Sequence, residues 1–343
     1  MSPKYFIVTT TKFADQCMHF QTYGASQSNW LCNVNMGDIL FLSQFSYKSQ
    51  DVFGPFRVTR SLYYDKTNIY PNHKYYFRIQ FEPIREINLV EETDLYLQGV
   101  RSGSTDLYFR IINLLQQNKH LHCICLTEQE GEAIFNAFNE LNSIYRAVTS
   151  IKKLPPAPVC DVDRPYLWNK NKLDRRECFS TESDLESYLM MSLQDSESSE
   201  YRNIDLLLNV FNRNDIRSSE AYNQFIFGNA YPSDIAILND DNVNVFELKK
   251  DALSNSLLPR IEKEITKPLC YSALSNRIHD GKSRNFNYYL VCLQCKDNKQ
   301  YFGKISETYR NLCKRVDKTR NNTLTCVEYV VKNGKIILES VAL

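Results

Sequence analysis

The sequence predicts two domains, an N-terminal β-barrel carrying helices and a C-terminal α/β sandwich built around a mixed sheet. Three observations point there. The chain has 343 residues, more than one hydrophobic core comfortably serves, because domains settle at about 100–200 residues. Four of its 11 prolines (Pro155, Pro156, Pro158 and Pro165) fall in one mid-chain stretch, where they exclude regular helix and central strand. Across that stretch the pattern changes, from strand runs separated by turns to strands alternating with helices.

In order, the first part reads as strand runs YFIVTTT, DILFLSQF, VFGPFRVTR and YYFRIQFEPI, punctuated by Gly24, Gly37 and Gly54. Helical spacing of apolar residues follows in TDLYFRIINLLQQ and TEQEGEAIFNAFNELNSIYRAV. The second of these opens on Thr127 with Glu130 three residues later, a capping-box pattern. Residues 151–178 read as an extended, basic, proline-rich linker. They separate a domain over 1–150 from one over 179–343. Beyond the linker come a helix (ESDLESYLMMSL), strands NQFIFG, SDIAIL and VNVFELKK, and a helix over about 255–278. A strand (NYYLVCLQC), a helix over about 303–317 and a strand pair (LTCVEYVV, KIILES) complete the order. Asn333-Gly334 joins the last pair as a tight hairpin turn.

Composition excludes whole classes. Apolar residues at 43% and charged residues at 24% are those of a globular chain. The net charge of +1 gives no global attraction to a polyanion, so any nucleic-acid site is a local patch. No run of about 18 apolar residues is present to span a bilayer, and MSPKYFIVTT lacks the features of a signal peptide. A soluble cytoplasmic protein, with no membrane partner, is the expectation. The 11 cysteines scatter through apolar runs, as buried reduced thiols do. His120, His122, Cys123 and Cys125, and separately Cys292 and Cys295, are spaced like parts of zinc sites. Both groups sit inside strand runs with no second pair, which favours buried thiols.

The chemistry gathers in YPSDIAILNDDNVNVFELKKD, Tyr231–Asp251. A hairpin turning at Asn239–Asn242 sets Asp234 beside Glu247, and the two-residue period places Glu247 and Lys249 on one strand face. Carboxylates and an ammonium in apolar strands are costly to bury unless paired or metal-bound. Two carboxylates suit Mg²⁺ or Mn²⁺, with a main-chain carbonyl (that of Leu248), water and a substrate phosphate completing the shell. A neighbouring lysine can orient the attacking water. The bland alternative is a salt-bridged strand edge.

These residues resemble the PD-(D/E)xK nuclease superfamily over roughly 180–295, with Asp234, Glu247 and Lys249 in the motif positions. The resemblance implies a helix carboxylate joining the site, Glu182 or else Glu186, with Glu182 preferred, and phosphate contacts from Lys267 and Tyr271. Ser233 precedes the motif Asp where proline is usual, with Pro232 one place earlier. Lys267 stands where the family has Gln.

Gly37–Leu42 and Val52–Thr59 are similar to the PUA-like group, in particular its EVE and YTH members, a likeness extending over about 1–150. The resemblance implies a reader of a modified base in DNA or RNA. Trp30 is then the first pocket wall, with Tyr47 beside it and Asn33 and Ser43 as hydrogen-bonding groups. The alternative is that these rings only close the barrel. In the linker, Arg175 and Arg176 are candidate phosphate contacts, or ordinary solvated charge.

Together these features resemble a modification-dependent restriction endonuclease, Mg²⁺-dependent and acting on DNA. A homodimer would supply two active sites for double-strand cleavage. The rivals are a structure-specific repair nuclease and a non-catalytic nucleic-acid-binding protein on a nuclease scaffold.

Overall fold

The computed structural model describes residues 3–45, 50–117, 121–140, 160–161, 168–170, 177–194, 221–227, 232–239, 242–274, 284–316, 322–332 and 335–341. They form two units, Met1–Asp163 and Arg164–Leu343, both mixing helices with sheet.

In the first unit, strands β1 (Tyr5–Thr10), β2 (Thr22–Ala25), β3 (Ile39–Phe45), β4 (Gln50–Tyr64), β5 (Phe77–Glu91), β6 (Cys123–Leu126) and β7 (Cys160–Asp161) make one sheet. Its order is β2-β5-β4-β3-β1-β6, with β7 on β4. Only β1 and β3 run parallel among these pairings. β1 is buried on both faces from Phe6 to Thr10, which is why its run begins Phe-Ile-Val and does not alternate apolar with charged residues. The β4–β5 ribbon slips register at Gly54/Phe56, Val58/Arg60 and Arg60/Tyr63, and each slip bends and twists the strands, curling the sheet.

Helices α1 (Ala14–Phe20), α2 (Glu92–Ser102), α3 (Thr105–Gln117) and α4 (Glu128–Glu140) accompany this sheet. The capping box expected at α4 is formed: the Thr127 amide donates to Glu130 at 3.0 Å and the Glu130 amide to Thr127 Oγ1 at 3.3 Å. A β-carbon at Gly131 would stand 2.1 Å from the Tyr5 ring, so the missing side chain is what lets α4 lie against β1. Phe41 and Phe138 stack at 5.7 Å in the core.

The second unit holds β8 (Trp168–Lys170), β9 (Glu177–Phe179), β10 (Ala221–Ile226), β11 (Pro232–Leu238), β12 (Asn242–Leu248), β13 (Asn285–Leu293), β14 (Thr323–Lys332) and β15 (Lys335–Ser340). Their order is β10-β11-β12-β13-β14-β9-β8, with β15 on β14. The centre, β12-β13-β14, is parallel and the flanks antiparallel. Helices α5 (Glu182–Gln194), α6 (Leu258–Leu274) and α7 (Asn298–Val316) complete it. Ile261 and Ile265 of α6, and Phe302, Ile305 and Tyr309 of α7, pack with Val243, Val245, Phe286, Tyr288 and Leu290 in one core.

Two expectations need correction. The stretch 151–178 is not connector throughout, because β7 pairs with Tyr63 and Tyr64, and β8 pairs with β9. The division between units falls between Asp163 and Arg164 rather than at 150 and 179. The Asn333-Gly334 turn lies outside the described residues, although β14 and β15 pair out to Lys332 and Lys335. No described helix is long and apolar enough to cross a membrane.

Candidate functional site

In the second unit the register of β11 and β12, Ile235 opposite Phe246 and Ala236 opposite Val245, continues one step to set Asp234 opposite Glu247. Alternation then turns Asp234, Glu247 and Lys249 to the face that Ala236, Val243 and Val245 present to α6 and α7. The Leu248 amide donates to Asp234 Oδ2 at 2.7 Å. Lys249 Nζ donates to Glu247 Oε1 at 2.8 Å and lies 2.9 Å from Glu264 Oε2 on α6. Arg260, one turn before Glu264, bonds it at 2.6 Å and reaches toward Glu182 at 3.8 Å. Lys249 is 1% exposed and Glu247 6%, so this pair is desolvated, while at the outer end of the cluster Arg260 is exposed and Glu182 half-buried.

Burial pushes the Asp234 carboxyl up to about 6 despite Lys249 and the Leu248 amide. Burial first, then the charge of Asp234, lifts Glu247 well above the usual carboxylate range. Burial also opposes the charge on Lys249, but Glu247, Asp234, Glu182 and Glu264 outweigh it and hold the ammonium charged. Glu264 moves the other way: burial disfavours its charge, and Lys249 and Arg260 more than compensate. Two carboxylates that resist ionising together are the arrangement a divalent cation relieves, since it supplies the missing positive charge. Their oxygens suit hard Mg²⁺ or Mn²⁺. Among the described residues no group of three or more His, Cys, Asp or Glu is placed to hold a metal. An ion here would therefore rest on Asp234, Glu247, the Leu248 carbonyl and oxygens from water or substrate.

Glu182 opens α5, whose start is fixed by Thr181 and Asp184: the Thr181 amide donates to Asp184 Oδ2 at 3.0 Å and the Asp184 amide to Thr181 Oγ1 at 3.1 Å. Asp234 and Lys249 both feel the charge of Glu182. Glu186, one turn on, is instead buried and accepts from Gln224 at 2.9 Å. Gln224 has a positive φ of 50°, and the β10–β11 register is the same on both sides of it. Lys267 and Tyr271 fall within α6, and their side chains, like all of Arg175 and Arg176, lie outside the described residues. Glu264 was not expected. Its only trace in sequence is its i+4 spacing from Arg260, because the partnership with Lys249 arises when α6 packs on the sheet.

In the first unit a cleft of about 190 Å³ is lined by Thr9, Thr10, Thr11, Phe13, Cys17, Tyr23, Gly24, Tyr70, Tyr75, Leu121 and His122. Its walls are rings: Phe13 meets Tyr70 edge-on at 5.5 Å, and His122 meets Tyr75 at 5.6 Å. None of the lining residues is Asp, Glu, Lys or Arg. Tyr23 donates to the carbonyls of Thr9 and His122, both at 2.8 Å, and lies 3.3 Å from His122 Nδ1. Burial lowers the His122 pKa. The exposed Lys12 sits 5.4 Å over the ring of the lining residue Phe13.

Trp30 is not a lining residue; it stands one ring behind, 5.6 Å from His122. Asn33 is buried and accepts from Lys4 Nζ at 2.8 Å. Ser43 is wholly buried on β3, paired with Thr9 and Val52, and does not line the cleft. Tyr47 lies outside the described residues. Cys123, Cys125 and Cys292 are buried thiols, Cys295 is half-buried, and His120 is outside the described residues. The cleft's rings come from distant positions, so no local period announces them. The legible signal was the ring-rich segment Tyr70-Pro71-Asn72-His73-Lys74-Tyr75-Tyr76 between two long strands.

No family model and no curated protein matches the chain. Solved structures do align with its N-terminal part. The human THYN1 protein, in complex with DNA containing 5-methylcytosine, covers 41% of this chain and 99% of its own, at 14% identity and a TM-score of 0.31. The DUF55 domain of human thymocyte nuclear protein 1 covers 40% and 99%, at 14% identity and 0.31. A protein from Pseudomonas putida covers 39% and 98%, at 15% identity and 0.30. About two fifths of the chain is thereby covered.

Proposed function

We propose that the chain is a metal-dependent DNA endonuclease whose first unit accepts an extruded base. The observation that carries the catalytic half is the buried Glu247–Lys249 pair at 2.8 Å, beside Asp234 on one sheet face. Asp234 and Glu247, with the Leu248 carbonyl, would hold Mg²⁺ or Mn²⁺. A bound ion lowers the pKa of water and polarises the phosphoryl oxygen. The Leu248 amide fixes Asp234 by occupying one of its oxygens, leaving the other free to turn toward a ligand. Lys249, kept charged by its carboxylates, orients the attacking water and offsets phosphate charge. Glu182 at the head of α5, steadied by Arg260, is the helix carboxylate of the site.

For the reader half, an uncharged cleft walled by Phe13, Tyr70, Tyr75 and His122 suits a neutral heteroaromatic group. Stacking on such rings contributes about 1–3 kcal/mol per base, enough to offset an unstacking cost of a few kcal/mol once edge hydrogen bonds are added. Lys12, exposed over the Phe13 ring, suits the phosphate that follows an extruded base. The same chemistry serves a branch-specific repair nuclease, with a base held for position and not identity.

The experiment compares cleavage of matched duplexes, unmodified and bearing 5-methylcytosine, the modification in the THYN1 complex, with Mg²⁺ and with chelator. Cleavage that needs the ion and drops at least about 100-fold in Asp234→Asn, Glu247→Gln and Lys249→Met, with folding and DNA binding retained, is the expected outcome. Wild-type cutting in any of the three variants overturns the catalytic assignment. Binding without cleavage in every metal tried makes the protein a nucleic-acid-binding module on a nuclease scaffold. Equal affinity for every modification favours the repair reading.

A further inference from the structure

The wall of the cleft is held in part by a side chain that does not line the cleft itself, that of Arg78. Residues 65–76 join β4 to β5 and carry Tyr70, His73 and Tyr75. Arg78 lies beneath them, 1% exposed. Its Nη1 pairs with Asp65 at 2.9 Å, where the segment begins. Its Nε donates to the Tyr75 carbonyl at 3.0 Å and its Nη2 to the Thr67 carbonyl. Its cation also lies 5.8 Å from the Tyr70 ring. One guanidinium thus ties both ends of the segment, using the fixed fork of donors that lysine lacks. On the opposite side Tyr70 donates to the Thr22 carbonyl of β2 at 2.8 Å. Two residues along β2, a β-carbon on Gly24 would stand 2.8 Å from the Tyr75 carbonyl oxygen and 2.9 Å from the Tyr70 ring. The backbone oxygen cannot swing aside as a flexible side chain would.

We infer that Arg78 and Gly24 are positioning residues that pre-set Tyr70 and Tyr75 as a closed aromatic wall, so that the occupant is selected by the shape of the empty cleft. This deepens the base-reading proposal and rests on it. A wall already ordered loses little conformational freedom when a ring enters, and that saved entropy appears as affinity. It also cannot relax around a base of the wrong outline, which turns shape into discrimination.

The test uses the full chain carrying Gly24→Ala, which keeps every polar partner, with Arg78→Lys as a second variant. Two quantities are read: amide hydrogen exchange across 66–76, and affinity for the 5-methylcytosine duplex against its unmodified match. Faster exchange confined to that segment and at least a tenfold loss of preference for the modified duplex are expected in both variants, with an unchanged affinity and salt slope for the unmodified duplex in Arg78→Lys, whose side chain does not line the cleft. Wild-type exchange in Gly24→Ala overturns the lock. Faster exchange with undiminished preference overturns the link between wall position and selection. If the wild-type protein itself shows no preference among modified bases, the base-reading proposal fails on its own, and exchange alone still decides whether Gly24 and Arg78 hold the wall.

Discussion

His122 shows how a single side chain ties the cleft to solution conditions. Its ring faces Tyr23, Trp30 and Tyr75, and burial lowers its pKa below the usual value of 6.5. The folded state therefore binds a proton less readily than the unfolded chain. The stability this neutral ring contributes is fully present above about pH 6.5 and is lost as pH falls through the lower folded value. Urea midpoints measured from pH 7.5 to 5.0 should fall in the wild-type protein more than in His122→Gln. Parallel slopes in the two proteins would falsify the assignment. The same scale shows what sequence could reach. The two-residue strand period was enough to gather Asp234, Glu247 and Lys249. Phe13, Tyr70 and Tyr75 escaped, because their meeting depends on Arg78 and on the vacancy left by Gly24, neither of which a period encodes. Trp30 was chosen through the resemblance to the PUA-like group, from its place just before the Gly37-Asp38 strand, and lies 5.6 Å from the lining residue His122.

At the scale of elements, α5 illustrates how a cap serves a site. Thr181 and Asp184 satisfy each other's amides and so decide that the helix starts at Glu182, facing Arg260. Thr181→Ala should cost about 1 kcal/mol of cap energy, lowering the melting temperature of the second unit by about 2–4 °C. Because Glu182 is the first helical residue, cleavage should fall more than that loss of stability explains. An unchanged melting temperature would show that the cap contributes nothing. Elements whose pattern was complete in the sequence, such as α3 over Thr105–Gln117 and β15 over Lys335–Ser340, were read with their ends in place. Others were not: α1 has seven residues, under two helical turns, and β2 and β9 have four and three, too few for their own periods to emerge.

On the scale of the whole molecule, the proline-rich stretch marked the division without giving its edge. Pro155, Pro156 and Pro158 argue for connector, yet Cys160 and Asp161 belong to the first unit, where they pair with Tyr64 and Tyr63 of β4. A chain ending at 163 should therefore be more stable in isolation than one ending at 150, and 164–343 should fold separately, each judged by a cooperative thermal transition. Equal melting temperatures for 1–163 and 1–150 would mean that β7 contributes nothing to the first unit.

The place of β1 in its sheet has a consequence for how the protein is made. This strand is bordered by β3 on one side and β6 on the other, with Tyr5 opposite both Ile39 and Leu126. The second partner emerges long after the first. At about 5–20 residues per second, the 121 residues separating Tyr5 from Leu126 take roughly 6–24 s to synthesise. For that interval this buried strand, once β3 has joined it, still presents an open edge while the nascent chain grows, and nothing later than β6 in the described sheet can close it. Nascent chains stalled before Cys123 should therefore bind chaperones that recognise extended apolar segments, and release them once Leu126 has been added.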